Sequence, residues 1–265
     1  MQKINFIKIA ASGNDFVVIT SLRSPVIPLK RLAKIMCDRK YGAGGDGLLL
    51  LEKSQIADIK MRIFNPDGSE AEMCGNGARS VALFTKSKRI ETQAGIIESR
   101  VNGEKIKIKL TEPKALKLDL PVRVNNRTLQ VNFINTGVPH TVIFVADLDK
   151  IDVINIGRQI RFHKRFAPAG TNVDFVEALS NKSIKIRTYE RGVEDETRAC
   201  GTGIVASAVV TIARLPEIKA ISHKINVHTK SGEMLKVYFD KIGDKFRDVW
   251  LEGKARIVYK GVYYV

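Results

Sequence analysis

Met61-Arg-Ile-Phe64-Asn65-Pro-Asp-Gly68-Ser-Glu-Ala-Glu-Met-Cys74-Gly75-Asn76-Gly77 is written a second time, in divergent form, as Ile186-Arg-Thr-Tyr189-Glu190-Arg191-Gly192 leading into Cys200-Gly201-Thr202-Gly203. Phe64 and Tyr189 lie 125 positions apart and the cysteines 126, so one extra residue in the second loop accounts for the difference. Each cysteine precedes a run of small apolar residues that reads as a helix. A thiol is thereby expected at each of two helix N-termini, where the dipole and the free backbone N–H groups favour a thiolate. A matched pair of thiols suggests two-sided acid–base chemistry.

The echo extends outward. Downstream, Thr92-Gln-Ala-Gly95 matches Thr229-Lys-Ser-Gly232. Upstream, Gly13-Asn14-Asp15-Phe16-Val17 resembles Gly170-Thr-Asn172-Val-Asp174-Phe175-Val176; Phe16 and Phe175 are 159 positions apart, which predicts about 34 additional residues in the first half. A self-similarity of this length indicates two duplicated lobes and not a short-period solenoid.

Each half is strand-rich around one central helix. Asn102-Gly103, between two alternating runs, predicts a hairpin with a type I′ turn, and Asn125-Asn126 is a weaker version. Residues 204–213 are apolar all round, so a helix there should be buried on every side and wrapped by sheet. Leu29, Leu32, Ala33 and Met36 mark a helical face, with Cys37 beside it as a core thiol. Lys105-Ile-Lys107-Ile-Lys109 alternates as a strand with one wet face. Pro113 and Pro121 bracket a Lys/Leu segment suited to a lobe boundary, and residues 255–265 read as strands that could rejoin either lobe.

The 265 residues, 44% of them hydrophobic, are enough for a real core. No apolar stretch reaches the roughly 18 residues of a membrane span and no signal peptide is visible, so a cytoplasmic location is expected. Three cysteines do not make a disulfide framework, which fits reduced thiols in a reducing compartment. The net charge of +16 invites a nucleic-acid reading, but the lysines are dispersed, only 7% of residues are aromatic, and no recognition motif is visible.

Taken alone, the two Cys-Gly-x-Gly turns admit metal ligation, redox exchange or acid–base catalysis. No Cys-x-x-Cys or His-x-x-x-His is present, so no metal is expected. Redox pairs are normally closer in sequence. Each cysteine alone could simply begin a helix, but glycines following both would let a substrate approach the backbone. Tyr41-Gly42-Ala-Gly44-Gly45-Asp46-Gly47 lacks the strand-before, helix-after context of a phosphate loop, so it reads as a tight connection or a substrate-side loop. His223 and His228 read as surface residues and His163 has no readable role. His140, pinned by Gly137 and Pro139 before an apolar strand, is a functional candidate.

In the order Ala11-Ser-Gly-Asn14-Asp-Phe, Phe64 through Arg79, Gly-Val-Pro-His140, Gly-Thr-Asn172-Val, and Tyr189 through Gly203, the whole chain resembles the diaminopimelate epimerase family. The resemblance implies an α+β fold of two duplicated lobes, each a mixed, mostly antiparallel, barrel-like sheet around a central helix. Residues 1–115 would form the N-terminal lobe, with 254–265 returning to it, and 116–253 the C-terminal lobe. It implies interconversion of LL- and meso-diaminopimelate in a cleft, without cofactor or metal, by a homodimer acting in lysine and peptidoglycan precursor synthesis. Cys74 and Cys200 would be the catalytic pair on opposite faces of the α-carbon, supported by His140 and Glu190. Asn14, Asn65, Asn172, Glu190 and Arg191 would hold the substrate, and backbone N–H groups around Gly75-Asn76 and Gly201-Thr202 its α-carboxylate. Two positions depart from the pattern: Val138 stands where many members have Asn, and Gly47 where some have Gln. Both changes remove a potential contact to the distal end of the substrate. A same-fold alternative is a proline or hydroxyproline epimerase, although those typically carry His where Asn76 stands. An alternative of another class is a basic nucleic-acid-binding protein retaining the fold.

Overall fold

The computed structural model describes residues 2–20, 27–125, 127–215, 217–218 and 220–265. It contains two compact units, Met1–Lys109 with Gly253–Val265, and Leu110–Glu252. In chain order the first holds β1 (Lys3–Ala11), β2 (Asn14–Thr20), α1 (Leu29–Cys37), β3 (Gly47–Glu52), β4 (Ile59–Phe64), β5 (Glu70–Ala71), α2 (Gly75–Thr85), β6 (Arg89–Thr92), β7 (Gly95–Asn102) and β8 (Lys105–Lys109). β1 and β2 are antiparallel, β2 and β3 parallel across α1, and β3 and β4 antiparallel. β4 then pairs with the short β5, runs parallel to β6 across α2, and the hairpins β6–β7 and β7–β8 finish the run.

The second unit repeats this plan with β9 (Lys114–Val124), β10 (Arg127–Asn135), β11 (Pro139–Phe144), α3 (Val153–Arg161), β12 (Asn172–Ser180), β13 (Ser183–Glu190), β14 (Asp195–Thr197), α4 (Gly201–Ala213), β15 (Ser222–His228), β16 (Met234–Ile242) and β17 (Lys245–Lys254). β10 through β17 pair as β1 through β8 do, with the parallel pairs β11–β12 and β13–β15 at the same two places. β9 lies antiparallel to β10. Its counterpart in the first unit is β18 (Arg256–Tyr264), antiparallel to β1.

The register corrects one expectation from the sequence. Phe16 pairs with Gly47 and Leu48 with Phe64, while His140 pairs with Asn172 and Val173 with Tyr189. β2 therefore corresponds to β11 and β3 to β12, at an offset that stays near 125 from β1 to α2, and no block of about 34 residues is inserted in the first half. The likeness of residues 13–17 to 170–176 equates strands with different places in the sheet. Both are interior strands entered through a positive-φ glycine, Gly13 at 83° and Gly170 at 66°, and that shared demand makes them read alike.

α2 packs on β1, β2, β4, β7, β8 and β18, and α4 on β10, β11, β12, β13, β15 and β16, so each sheet wraps its own central helix. Every residue of α4 from Gly203 to Ile212 is buried, as an all-apolar helix requires. α1 buries Leu32, Ala33, Met36 and Cys37 against Val17, Ile19, Leu48 and Leu50. Burial pushes the Cys37 thiol up to about 11, consistent with a core residue.

Three local readings need revision, and a fourth, the turn at Asn125-Asn126, holds, since Val124 pairs with Arg127 across it. In the β7–β8 hairpin Asn102 pairs with Lys105, so the turn residues are Gly103 and Glu104, and of the two only Gly103 has positive φ, at 58°. That sign pattern belongs to a II′ turn one residue later than expected. Of the Asn125-Asn126 pair, Asn125 is at φ 49° before β10, and Asn126 lies outside the described residues. The segment bracketed by Pro113 and Pro121 is strand β9, paired along its length with β10. His223 is buried and stacked on Phe239, because strand alternation turns it inward; His163 caps the short turn Lys164–Phe166 by accepting from the Arg165 N–H.

α3 sits so close to β13 that a Cβ at Gly157 would come within 2.6 Å of the Tyr189 Cβ. Gly157→Ala gains up to about 1 kcal/mol of helix propensity but overpacks a rigid contact costing about 1–3 kcal/mol. Net destabilisation is the expected outcome in urea unfolding; an unchanged or raised midpoint would contradict this packing.

Candidate active site

Cys74 is the N-cap of α2, in extended conformation (φ −142°, ψ 121°), and its sulfur accepts from the Gly77 N–H at 3.4 Å. Cysteine here takes the place that Ser or Asp usually fills. Asn76, two residues into the helix, donates from Nδ2 to Asn14 Oδ1 at 2.6 Å, and its Oδ1 accepts from Arg79 at 2.6 Å. Arg79 also donates to Ser12 Oγ at 2.6 Å, in the turn between β1 and β2. Asn14 Nδ2 donates to Asp46 in the glycine-rich loop at 3.0 Å. That loop is anchored by Arg39, which binds both Asp15 (2.8 Å) and Asp46 (2.6 Å), and by buried Lys8, which pairs with Asp15 at 2.7 Å and donates to the Gly44 carbonyl. Burial pushes the Asp15 carboxyl up, but hydrogen bonds and charge from Arg39 and Lys8 outweigh it and hold the group well below the usual carboxylate range. Asn65 belongs to a separate turn, donating to Ser69 Oγ at 2.9 Å.

In the second unit Cys200 holds the N-cap position of α4 with the same extended backbone (φ −108°, ψ 112°), but its sulfur accepts no capping hydrogen bond. Its sulfur lies 3.4 Å from Thr202 Oγ1, which is 2.9 Å from His140 Nε2, while His140 Nδ1 is 2.7 Å from Asp174. Both the imidazole and the carboxylate are wholly buried, and Thr188 donates to the second Asp174 oxygen at 2.7 Å. A carboxylate on Nδ1 keeps the proton of a neutral ring there and leaves Nε2 to accept from Thr202. The Thr202 oxygen then keeps its lone pairs for the Cys200 S–H. The result is a continuous chain, Cys200 to Thr202 to His140 to Asp174. Asn172 donates to the Pro139 carbonyl at 2.9 Å and accepts from the Arg191 N–H at 2.8 Å, while the Arg191 guanidinium reaches the Ala169 carbonyl at 3.0 Å.

The two thiols differ in setting. Cys74 is half-buried and Cys200 buried. Burial raises the Cys200 thiol well above its ordinary value, the negative charges of Glu190 and Asp174 add to this, and the polar groups of Thr202 and the nearby Gly203 N–H only partly offset it. The expectation that a helix N-terminus alone favours a thiolate is thus overturned at Cys200, where desolvation and two carboxylates outweigh the helix end. Glu190 is itself raised, chiefly by burial.

The glycines also have distinct reasons. A Cβ at Gly203 would sit 2.3 Å from Asp174 Oδ1, so what approaches the backbone there is Asp174. Gly75 and Gly201 would meet nothing nearer than 3.4 Å. Gly47 opens β3, where a Cβ would lie 3.2 Å from the Phe64 carbonyl. Val138 occupies the place in the second unit that Asn14 holds in the first, and carries no side-chain hydrogen-bonding group.

Sequence reasoning missed Asp174, Asp46, Lys8 and the Thr202 side chain. A signal for Asp174 was present: an acid within Val173-Asp174-Phe175-Val176 must be paired if the strand is interior. Among the described residues no group of three or more His, Cys, Asp or Glu is arranged to hold a metal ion. Among them, too, no helix is long and apolar enough to cross a membrane.

A buried carboxyl whose folded-state value is raised contributes stability at low pH that is lost as pH rises through that value. Glu190→Gln mimics the protonated form, so it should match the parent chain near pH 4 and exceed it in unfolding free energy by a margin that grows towards pH 8. A margin independent of pH would contradict the raised Glu190 carboxyl.

Comparison with known proteins bears on both halves. The family model for diaminopimelate epimerase matches residues 6–120 and 132–258. A diaminopimelate epimerase of Aquifex aeolicus is 40% identical over 279 residues, covering 97% of each chain, and one of Chlorobaculum tepidum is 39% identical over 262 residues, covering 95% of this chain and 98% of its own. Among solved structures, a phenazine biosynthesis protein of the PhzF family from Bacillus anthracis superposes with a TM-score of 0.77 at 20% identity over the full length of both chains. A hydroxyproline epimerase from Agrobacterium vitis gives 0.70 at 14% identity, covering 99% of this chain and 91% of its own. At these identities the likeness is one of fold. The match of the family model along nearly the whole chain, together with relatives near 40% identity, shows that this protein belongs to the diaminopimelate epimerase family and is an isomerase of the epimerase type.

Proposed function

We propose that this chain interconverts LL- and meso-diaminopimelate, a step of lysine biosynthesis, by two-base proton transfer between Cys74, Cys200 and the substrate α-carbon. The observation that carries the reading is the placement of the two cysteines as N-caps of corresponding helices in a duplicated topology. One thiolate removes the α-proton while the other, as thiol, returns a proton to the opposite face, and the roles exchange in the reverse direction. Cys200, kept protonated by its surroundings, suits the donor at rest, and Cys74, the less buried thiol, suits the base.

A thiol of ordinary pKa about 8.5 is a weak base for such a carbon acid, so the α-carboxylate needs stabilising partners. The leading N–H groups of α2 and α4, at Gly75-Asn76 and Gly201-Thr202, supply donors of the required kind. Arg191, with its planar fork, suits the distal carboxylate, and Glu190 an ammonium group. Asn14, Asn65 and Asn172 complete the polar set. The His140–Asp174 pair acts on Cys200 through Thr202. We place the activity in the cytoplasm, where three free cysteines stay reduced, and in a homodimer, for which the exposed apolar side chains of β18, Ile257, Val258, Tyr259 and Val262, offer support.

In D2O the enzyme should incorporate deuterium at one α-carbon of diaminopimelate, because the returning proton comes from an exchangeable thiol. Epimerisation without label uptake would exclude the two-thiol route. Cys74→Ala and Cys200→Ala should each lower kcat by about 10²–10⁴-fold or more, whereas Cys37→Ala should not. Turnover of proline or 4-hydroxyproline in preference to diaminopimelate would replace the substrate assignment with the same-fold alternative.

A further inference from the structure

Arg79 is the largest of the fully buried side chains, yet the chemistry above gives it no role. It ends a chain of hydrogen bonds in which every donor points the same way: Arg79 to Asn76 Oδ1 (2.6 Å), Asn76 Nδ2 to Asn14 Oδ1 (2.6 Å), and Asn14 Nδ2 to Asp46 Oδ2 (3.0 Å). The two middle members are carboxamides, whose oxygen and nitrogen ends are nearly the same size and whose orientation is decided by their neighbours. The two outer members are not ambiguous. A guanidinium can only donate, so the Asn76 atom beside it is oxygen; a carboxylate can only accept, so the Asn14 atom beside it is nitrogen. Each end alone dictates the orientation of both amides, and the two ends dictate the same one.

Both ends are themselves anchored. Asp46 Oδ1 accepts from Arg39 at 2.6 Å and Oδ2 also accepts from the Asp15 N–H at 3.1 Å, so both oxygens already face donors. The Arg79 Nη2 that donates to Asn76 also donates to Ser12 Oγ. In this arrangement each amide spends one N–H on the chain and keeps one.

We propose that Asp46 and Arg79 are positioning residues that lock the carboxamides of Asn14 and Asn76 in a single orientation, so that each presents its remaining N–H, not its oxygen, to a carboxylate of the substrate. This rests on the functional reading above, in which Asn14 and the start of α2 meet the substrate. The second unit does not repeat the device, since Val138 and Thr202 stand where Asn14 and Asn76 do; there the buried Asp174–His140 pair sets the orientation of a hydroxyl. Two unlike solutions thus order the polar groups next to the two thiols.

The lock has a signature that an ordinary structural role lacks. Asp46→Asn and Arg79→Gln each replace a one-way end by a group able both to donate and to accept, without emptying the site. Either change alone leaves the other end in command, so KM for diaminopimelate should rise only about fivefold, the loss of one typical hydrogen bond, with kcat nearly unchanged. The double variant frees both amides, and its KM should exceed the product of the single effects, about 25-fold on that basis, although Asp46 and Arg79 share no direct hydrogen bond. Arg79→Lys, still donor-only, keeps that end in command, so combining it with Asp46→Asn should give a KM no higher than the product of the two single effects. A double variant whose KM equals or falls below the product would overturn the proposal, as would kcat falling in place of KM. Side-chain NMR of 15N-asparagine-labelled protein without substrate gives an independent arm. Rigid, single-orientation amide signals for Asn14 and Asn76 in the parent chain support the lock, and exchange between two orientations there overturns it, even if Arg79→Gln fails to fold. If the parent chain does not epimerise diaminopimelate at all, the substrate reading fails, while the NMR arm still decides whether the amides are locked.

Discussion

A helix that starts in a buried place leaves its leading N–H groups without intrahelical partners, and something other than water must meet them. In this protein a cysteine holds the N-cap position twice, at α2, where its sulfur accepts from the Gly77 N–H, and at α4, where the sulfur meets the Thr202 hydroxyl. Much else follows from that choice. A sulfur used as a cap is fixed in direction by the helix it begins, and the helix is fixed by the sheet wrapped around it. The turn before β2 and its counterpart before β11 are each tied to the start of the central helix, through Ser12 and Arg79 in one case and through Thr136 and the Thr202 carbonyl in the other. The thiols are therefore held by backbone architecture and not by flexible side chains.

Duplication supplied two such ends, and divergence made them unequal. Asn76 and Thr202 hold corresponding places, yet one belongs to a chain of amides running between an arginine and an aspartate and the other to a hydroxyl–imidazole–carboxylate series. Asn65, just after β4, and Glu190, the last residue of β13, hold corresponding places, but only Glu190 adds negative charge beside its cysteine, and burial makes that charge costly. A symmetric pair would give both sulfurs the same protonation preference. An epimerase needs one of each in any single turnover.

Features that depend on local pattern were legible in the sequence. The helix starts at Cys74 and Cys200, the all-round burial of α4, the inward isoleucines of β8 and the core face of α1 all follow from periodicity and turn chemistry. Features that depend on which strand lies beside which were not. Residues 13–17 and 170–176 look alike because both open interior strands, and no periodicity distinguishes one interior strand from the next. Asp174 and Lys8 are hidden for a related reason: each sits in an apolar run, and its partner, His140 for one and Asp15 for the other, becomes adjacent only when the sheet forms. The Cys200 setting needed burial and two carboxylates to be known together, which no local rule provides.

The pairing of β18 with β1 carries a consequence for how the protein is made. β1 precedes the second unit in the chain, but the strand that covers one of its edges follows that entire unit. The second unit has all of its own strands in one continuous stretch and can close first. The first must wait with an open edge until residues 256–264 arrive, a contact of very long sequence separation and so a slow one. The nascent chain thus finishes in the reverse of its written order, and the cell's means of shielding exposed strands matter most for the half that is translated first.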